Sequence, residues 1–339
     1  MKKKLCHSTL VLISLVVCFS LAFTGTAFAY SKEKPMVLKA AIANPEMDVK
    51  ARTIKRFGDM VEERTKGRVT FKYFYGASLI KKPAFVDGVS KGIADISTGP
   101  ISFVTGKIPE LSPFEIYGGY NLMKTLEMNR AVRPLLEEVF AKRNIFPVMV
   151  QYTGNTIFCH KEKILKKPSD WKGSKMRLGG RWQSTLGKMW GASPVFMPPS
   201  ELYLALQRGV LDGFMLIYDI TYGLKLYEVA PYITDTTLSN NIEPVTFNLK
   251  KWKSLTKEDQ EIIKQVAVEV EKWNFDESLK VVEKIKKSMT AKGAKIHVLT
   301  EEEKMGYAKD SYSLWPEVEK VSGPTGKKFI EILKQYSEQ

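Results

Sequence analysis

Ser169-Asp170-Trp171-Lys172-Gly173-Ser174-Lys175-Met176-Arg177 opens the most informative segment of this chain. It continues through Gly191-Ala192-Ser193-Pro194-Val195-Phe196-Met197 and Ser200-Glu201-Leu202-Tyr203-Leu204-Ala205-Leu206-Gln207-Arg208-Gly209-Val210-Leu211-Asp212-Gly213 to Lys225-Leu226-Tyr227-Glu228-Val229-Ala230. Strand and helix signals alternate along it. Residues 146–152 and 175–178 read as strands, and 181–190 as a helix that Gly191 closes. Residues 194–197 read as a short strand. Ser200 is placed to cap a helix over 201–208, which Gly209 ends, and 210–215 is strand-like again. This alternation predicts an α/β layered unit.

The N-terminal half repeats the logic. Residues 36–42 are strand-like. Asp48 is placed to cap a helix in which Ile54, Phe57 and Val61 share one face, and Gly67 ends it. Val69, Phe71 and Tyr73 alternate with Thr70 and Lys72, as in a half-buried strand. A short helix over 83–91 closed by Gly92, then a strand over 93–96, completes a second α/β unit. Thr256 with Asp259 fits a capping box, and no Pro or Gly interrupts 257–292 before Gly293. A helix of that span is ~54 Å long, long enough to cross both units. The alternative is two helices broken near Asn274-Phe275.

The chain of 339 residues carries Lys+Arg 52 against Asp+Glu 37, a formal charge of +15. Hydrophobic residues at 44% supply ample core, which excludes disorder as the main state. Three Cys exclude a disulfide-stapled scaffold. Lys2, Lys3 and Lys4, the apolar run 10–23 and Ala27-Phe28-Ala29 have the order of a secretory signal peptide over 1–29. Its removal leaves +12 and a single cysteine, Cys159. The ten arginines are scattered, and Lys alternates with Glu along helix faces, so the charge reads as solvated surface without a nucleic-acid partner.

Two common catalytic signatures are missing: no H-E-x-x-H and no Cys-x-x-Cys. Gly323-Pro324-Thr325-Gly326-Lys327-Lys328 lacks phosphate-loop spacing and reads as a surface turn. His160 and His297 have no cluster around them to complete a metal site. Cys159 beside His160 has the residue types of a nucleophile–base pair, but strand neighbours point to opposite faces. The composition therefore favours a non-enzyme with no cofactor and no metal.

The segment 169–230 resembles the periplasmic solute-binding proteins of TRAP transporters, the DctP-like family. Weaker similarity at 62–68, 74–79 and 87–96 extends it over nearly all of the chain after residue 29. The resemblance implies a two-lobed α/β periplasmic binding protein (class II-like), with a long helix spanning both lobes. Lobe I would comprise 30–153 plus 243–282, and lobe II 154–242 plus 283–339. It implies an extracytoplasmic monomer that captures a small organic anion, closes by a hinge, and delivers the solute to TRAP-type integral membrane subunits. A ligand-sensing protein that presents its solute to a membrane sensor is the alternative.

In that family the Arg of a K-x-R motif holds the ligand carboxylate, and Lys175-Met176-Arg177 matches it. A guanidinium at a strand end before Gly179-Gly180 is suited to two parallel hydrogen bonds with a carboxylate. Two positions depart from the pattern. Gly154-Asn155-Thr156-Ile157 lacks the family's upstream Arg, and Leu216 stands where an Asn is expected after Asp212-Gly213. Both changes point to a more apolar pocket and a monocarboxylate with an apolar or aromatic body. Trp182, Phe214 and Tyr218 are candidate aromatic walls, and Arg181 a candidate second cation. Glu201 and Tyr203 read as architectural.

Overall fold

The computed structural model describes residues 30–118, 120–152, 154–239 and 242–337; the leader expected over 1–29 lies outside them. The first half runs β1 (Met36–Ala41), α1 (Val49–Arg64), β2 (Val69–Phe74), α2 (Phe85–Ser90), β3 (Ile96–Thr98), β4 (Tyr120–Asn121), α3 (Thr125–Ala141) and β5 (Ile145–Gln151). The chain then builds β6 (Thr156–His160), β7 (Lys175–Arg177), α4 (Arg181–Met189), β8 (Ser193–Val195), α5 (Leu202–Gln207), β9 (Gly213–Ile217), α6 (Tyr218–Gly223), β10 (Tyr232–Asp235) and β11 (Leu238–Ser239). It returns through β12 (Glu243–Asn248), α7 (Leu249–Lys253) and α8 (Lys257–Ala291), then ends in β13 (Lys295–Val298), α9 (Glu301–Tyr312) and α10 (Trp315–Tyr336).

Two sheets result. One has the order β2-β1-β3-β12-β5 and the other β13-β10-β6-β9-β7-β8, with β11-β4 as a small ribbon. In the first, β1 is parallel to β2 and β3, while β12 runs antiparallel to β3 and β5. In the second, β7 is parallel to β8 and β9, and β6 is antiparallel to β9. The α/β architecture expected from the alternating pattern is present in both. Strand β12 crosses back to the first sheet after all of the second but β13 is built, so no single linker separates the halves.

Local sequence accounts for the elements around the cleft. Asp48 caps α1, its carboxylate accepting from the Lys50 backbone N–H at 2.8 Å, and Ile54, Phe57 and Val61 are fully buried on one face. Ser200 does not cap α5: residues 199–201 form a 3-10 turn, and Glu201 precedes the helix without a side-chain cap. The Pro198-Pro199 pair sets that turn in place of a hydroxyl cap. Gly323 sits at φ 66° inside α10, so the glycine-rich stretch is a kink between helical segments, not a free turn.

Helix α8 is continuous over 35 residues. Its N-terminal half contributes Ile263, Val266 and Val270 to the core of the first sheet. Its C-terminal half contributes Val282, Ile285 and Met289 to the core of the second. No break occurs at Asn274, which is fully buried. Its Oδ1 accepts from the Tyr152 backbone N–H at 2.7 Å, and its Nδ2 donates to Thr53 Oγ1 at 2.9 Å. Thr256 caps the helix through the Asp259 N–H. The reciprocal half of the capping box is absent: Asp259 instead accepts from Tyr30 Oη at 2.6 Å and Arg68 at 2.6 Å. The C-terminal segment divides: β13 joins the second sheet, while α10 packs on residues 109–115 and α3.

Candidate functional site

A cleft of about 380 Å³ lies between the two sheets. Its lining follows one rule. Residues come from the carboxyl ends of the parallel strands β1, β3, β7, β8 and β9, and from the amino ends of the antiparallel strands β6 and β12. Ligands of open α/β sheets settle outside strand carboxyl ends, where loops rather than ladder partners face the space. A larger open groove of about 640 Å³ runs past Gly306, Tyr312, Trp315 and Ser337, but its two lysines are exposed and no buried charge faces it.

Arg177 ends β7, between Val195 of β8 and Phe214 of β9. The residue is 8% exposed. Its Nε donates to the Met197 carbonyl at 3.1 Å and its Nη1 to the Met215 carbonyl at 3.2 Å. Those carbonyls fix the guanidinium plane, and among the described residues no further acceptor is given to the Nη2 protons. A Cβ at Gly179 would stand 3.1–3.4 Å from Nη1, Nη2 and Cζ, so the Gly179 backbone is the floor beneath the group. Among the described residues no carboxylate lies within salt-bridge distance of Arg177. Burial pushes its pKa down to about 10.

The opposite wall, from the first sheet, is polar and internally balanced. Lys50 lies within α1 with its side chain 4% exposed, and its Nζ stands 3.6 Å from Asp219 of α6. Burial opposes that charge, but Asp219, Glu243 and Asp48 outweigh it and hold the Lys50 pKa above the usual range. Lys82 donates to Asn44 Oδ1 at 3.1 Å and lies 3.2 Å from Glu243 Oε1. Asn44 donates to Asp48 at 3.0 Å. Of the three cations among the described residues that line the cleft, Arg177 alone has no described acid beside it.

The apolar lining comes from Phe103 on one lip and from Phe196, Met197, Leu216, Ile217 and Ile220 on the other. Phe196 is 77% exposed and Phe103 48%.

Of the residues singled out from sequence, Arg177 and Leu216 line this cleft, and the other four do not. Arg181 points outward, its side chain 61% exposed, 4.0 Å from Glu317 and over the Trp182 ring. Trp182 and Phe214 are buried in separate hydrophobic cores. Tyr218 is buried too, donating to Asp235 at 3.0 Å beneath the Lys286 ammonium. Phe214 lies early in β9 with its ring in the core, whereas the cleft is lined by that strand only from Met215 onward. The aromatic walls are Phe196, directly after β8, and Phe103, in the 3-10 turn over 101–103 that follows β3. Phe196 was findable, because the β7–β8 register places it one residue past the partner of Arg177.

Cys159 and His160 make no hydrogen bond to each other. Cys159 is fully buried and its thiol is pushed well above the ordinary range by burial. His160 accepts from the Glu162 N–H at 3.1 Å and pairs with Ser174 at 3.3 Å. Among the described residues no cluster of His, Cys, Asp or Glu could hold a metal ion. No described helix is long and apolar enough to cross a membrane.

Comparison with known proteins places this geometry. A solute-binding protein of Albidiferax ferrireducens is 27% identical over 286 residues, covering 82% of each chain. The 2,3-diketo-L-gulonate-binding periplasmic protein YiaO of Escherichia coli is 24% identical over 298 residues, covering 86% of this chain and 90% of its own. The crystal structure of a TRAP periplasmic solute-binding protein from Rhodoferax ferrireducens with bound malonate superposes with a TM-score of 0.77 at 24% identity, over 88% of this chain and 98% of that one. The model of the DctP family, bacterial extracellular solute-binding protein family 7, matches residues 40–321. That span includes the second sheet, the first sheet except the start of β1, and the whole of α8, and the family is one of solute-binding proteins, not of enzymes. This chain therefore belongs to the bacterial extracellular solute-binding proteins of family 7.

Proposed function

We propose that the protein captures a small organic acid, a monocarboxylate with an apolar body, and delivers it to a TRAP-type membrane transporter. One observation carries the reading: Arg177 is buried, fixed by two carbonyls, and has no carboxylate of its own. A buried cation without a partner is costly, and an incoming carboxylate would offset that cost through parallel charge-assisted hydrogen bonds. The remaining cleft charges already answer one another, which supports one negative charge on the ligand rather than two. Phe103, Phe196, Met197 and Leu216 suit an apolar body, and closure of the lips would remove the exposed aromatics from water.

The lobes we assign are 30–153 plus 243–282 and 154–242 plus 283–339, with α8 running through both and α10 reaching back to pack on the first. Segment 1–29 would be removed on export, so the mature chain works in the periplasm as a monomer. The malonate bound by the Rhodoferax protein and the diketogulonate of the E. coli relative's name support the organic-acid class. Differential scanning fluorimetry against organic acids tests it. Stabilisation by several monocarboxylates is expected. A clear shift with neutral sugars or amines and none with any acid would sink it.

A further inference from the structure

Glu243 opens β12 at the floor of the cleft and is 1% exposed. Among the described residues its Oε1 accepts no hydrogen bond. The Lys82 ammonium stands 3.2 Å away and offsets the charge, but the hydrogen bond Lys82 makes is with Asn44. Across the β5–β12 ladder, Glu243 is paired with Gln151, whose Oε1 is also buried without a donor. The Gln151 amide nitrogen is committed to the Lys50 carbonyl at 3.2 Å. Among the described residues, two buried acceptors on neighbouring strands thus lack a hydrogen bond. Buried acceptors left unfilled are rare and costly, and this pair stands on the sheet opposite Arg177.

We infer that Glu243 is a specificity residue that receives a hydroxyl group of the ligand, so the solutes are hydroxy-carboxylates bound with the carboxylate on Arg177. The inference rests on the reading of Arg177 as the carboxylate anchor. The donor is neutral because Lys82 already neutralises Glu243, and Lys50 lies nearby as a second cation. An ammonium at that end would meet two positive charges for one free lone pair.

The test uses straight-chain carboxylates of four to eight carbons, each ending in a methyl, a hydroxyl or an ammonium group. The length series scans the span from Arg177 to Glu243. Isothermal titration of the wild-type protein should show, at one or more lengths, a hydroxyl form binding about ten- to hundredfold tighter than its methyl form, as a hydrogen bond to a charged acceptor gives. The ammonium form should gain nothing. In Glu243→Met the hydroxyl gain should vanish. In Glu243→Gln, which keeps a neutral acceptor of the same shape, it should shrink to a few-fold.

Equal binding of hydroxyl and methyl forms at every length overturns the inference while leaving the anchor intact. So does a hydroxyl gain that survives Glu243→Met, or an ammonium form that binds tighter than the hydroxyl. Should neither variant fold, the wild-type series decides alone. If no carboxylate of any kind binds, the anchor itself is wrong and the inference falls with it.

Discussion

Replacing Arg177 by Met separates ligand recognition from stability. On the ligand side, the guanidinium offers two parallel hydrogen bonds to a carboxylate, each contributing about 1.5–3 kcal/mol when charge-assisted. At about 1.4 kcal/mol per tenfold, their loss weakens binding by at least about a hundredfold. On the stability side, two effects oppose. The Met197 and Met215 carbonyls lose a donor, a cost of about 1 kcal/mol each. Against this, the variant no longer buries an unpaired cation. Burial pushes the Arg177 pKa down to about 10, a penalty of about 3 kcal/mol at about 1.4 kcal/mol per pKa step. The two nearly cancel, so the ligand-free Tm should stay within about 3 °C of wild type. Scanning fluorimetry reads the Tm, and titration calorimetry with acids that stabilise the wild type reads the affinity. A folded Arg177→Met protein that binds those acids as tightly as wild type would refute the anchor.

Gly179→Ala should weaken carboxylate binding about tenfold with little change in Tm, because its methyl would press within 3.1–3.4 Å of the guanidinium and misalign both hydrogen bonds; an unchanged Kd would exclude that role. Phe196→Ala, at a 77% exposed position, should leave ligand-free stability intact yet cost about tenfold or more in affinity for acids with apolar bodies, with no loss for acetate. Asn274→Ala strips the buried Tyr152 N–H of its acceptor, a cost of about 1–3 kcal/mol, so Tm should drop by several degrees; an unaltered melting curve contradicts the bracing role. Burial, then Lys163, holds His160 below the ordinary histidine range. The folded state thus binds fewer protons, and stability should be full above pH ~6.5 and decline as pH falls below it. Tm from pH 7.5 to 5 should fall more steeply in wild type than in His160→Gln, and parallel slopes would clear His160 as the cause.

The parts of the site legible in sequence were those whose signal is local. Arg177 could be placed at a strand end because Gly179 and Gly180 follow one residue later, and α8 announced itself by its uninterrupted run. The polar wall was not legible. Asn44, Lys50, Lys82 and Glu243 come from four segments that meet only after β12 returns to the first sheet, and Asp48 already had a sufficient local role as a helix cap. The aromatic candidates failed for a related reason. Strands covered on both faces are apolar at every position, so periodicity does not tell Phe214, inside β9, from Leu216 and Ile217 at its rim. Trp182 and Tyr218 lie close in sequence to cleft residues, yet their rings fill cores instead.

The long helix gears the two halves together. Ile263, Val266 and Val270 grip one core and Val282, Ile285 and Met289 the other, on a single rigid shaft. One residue inserted near Asn274 would turn the far end by about 100° and carry it about 1.5 Å onward, rotating one set of teeth out of its socket. A lengthened surface loop in either half would leave this register untouched. The number of residues between the two grips cannot change without disturbing it, and it forms a fixed ruler between the two cores.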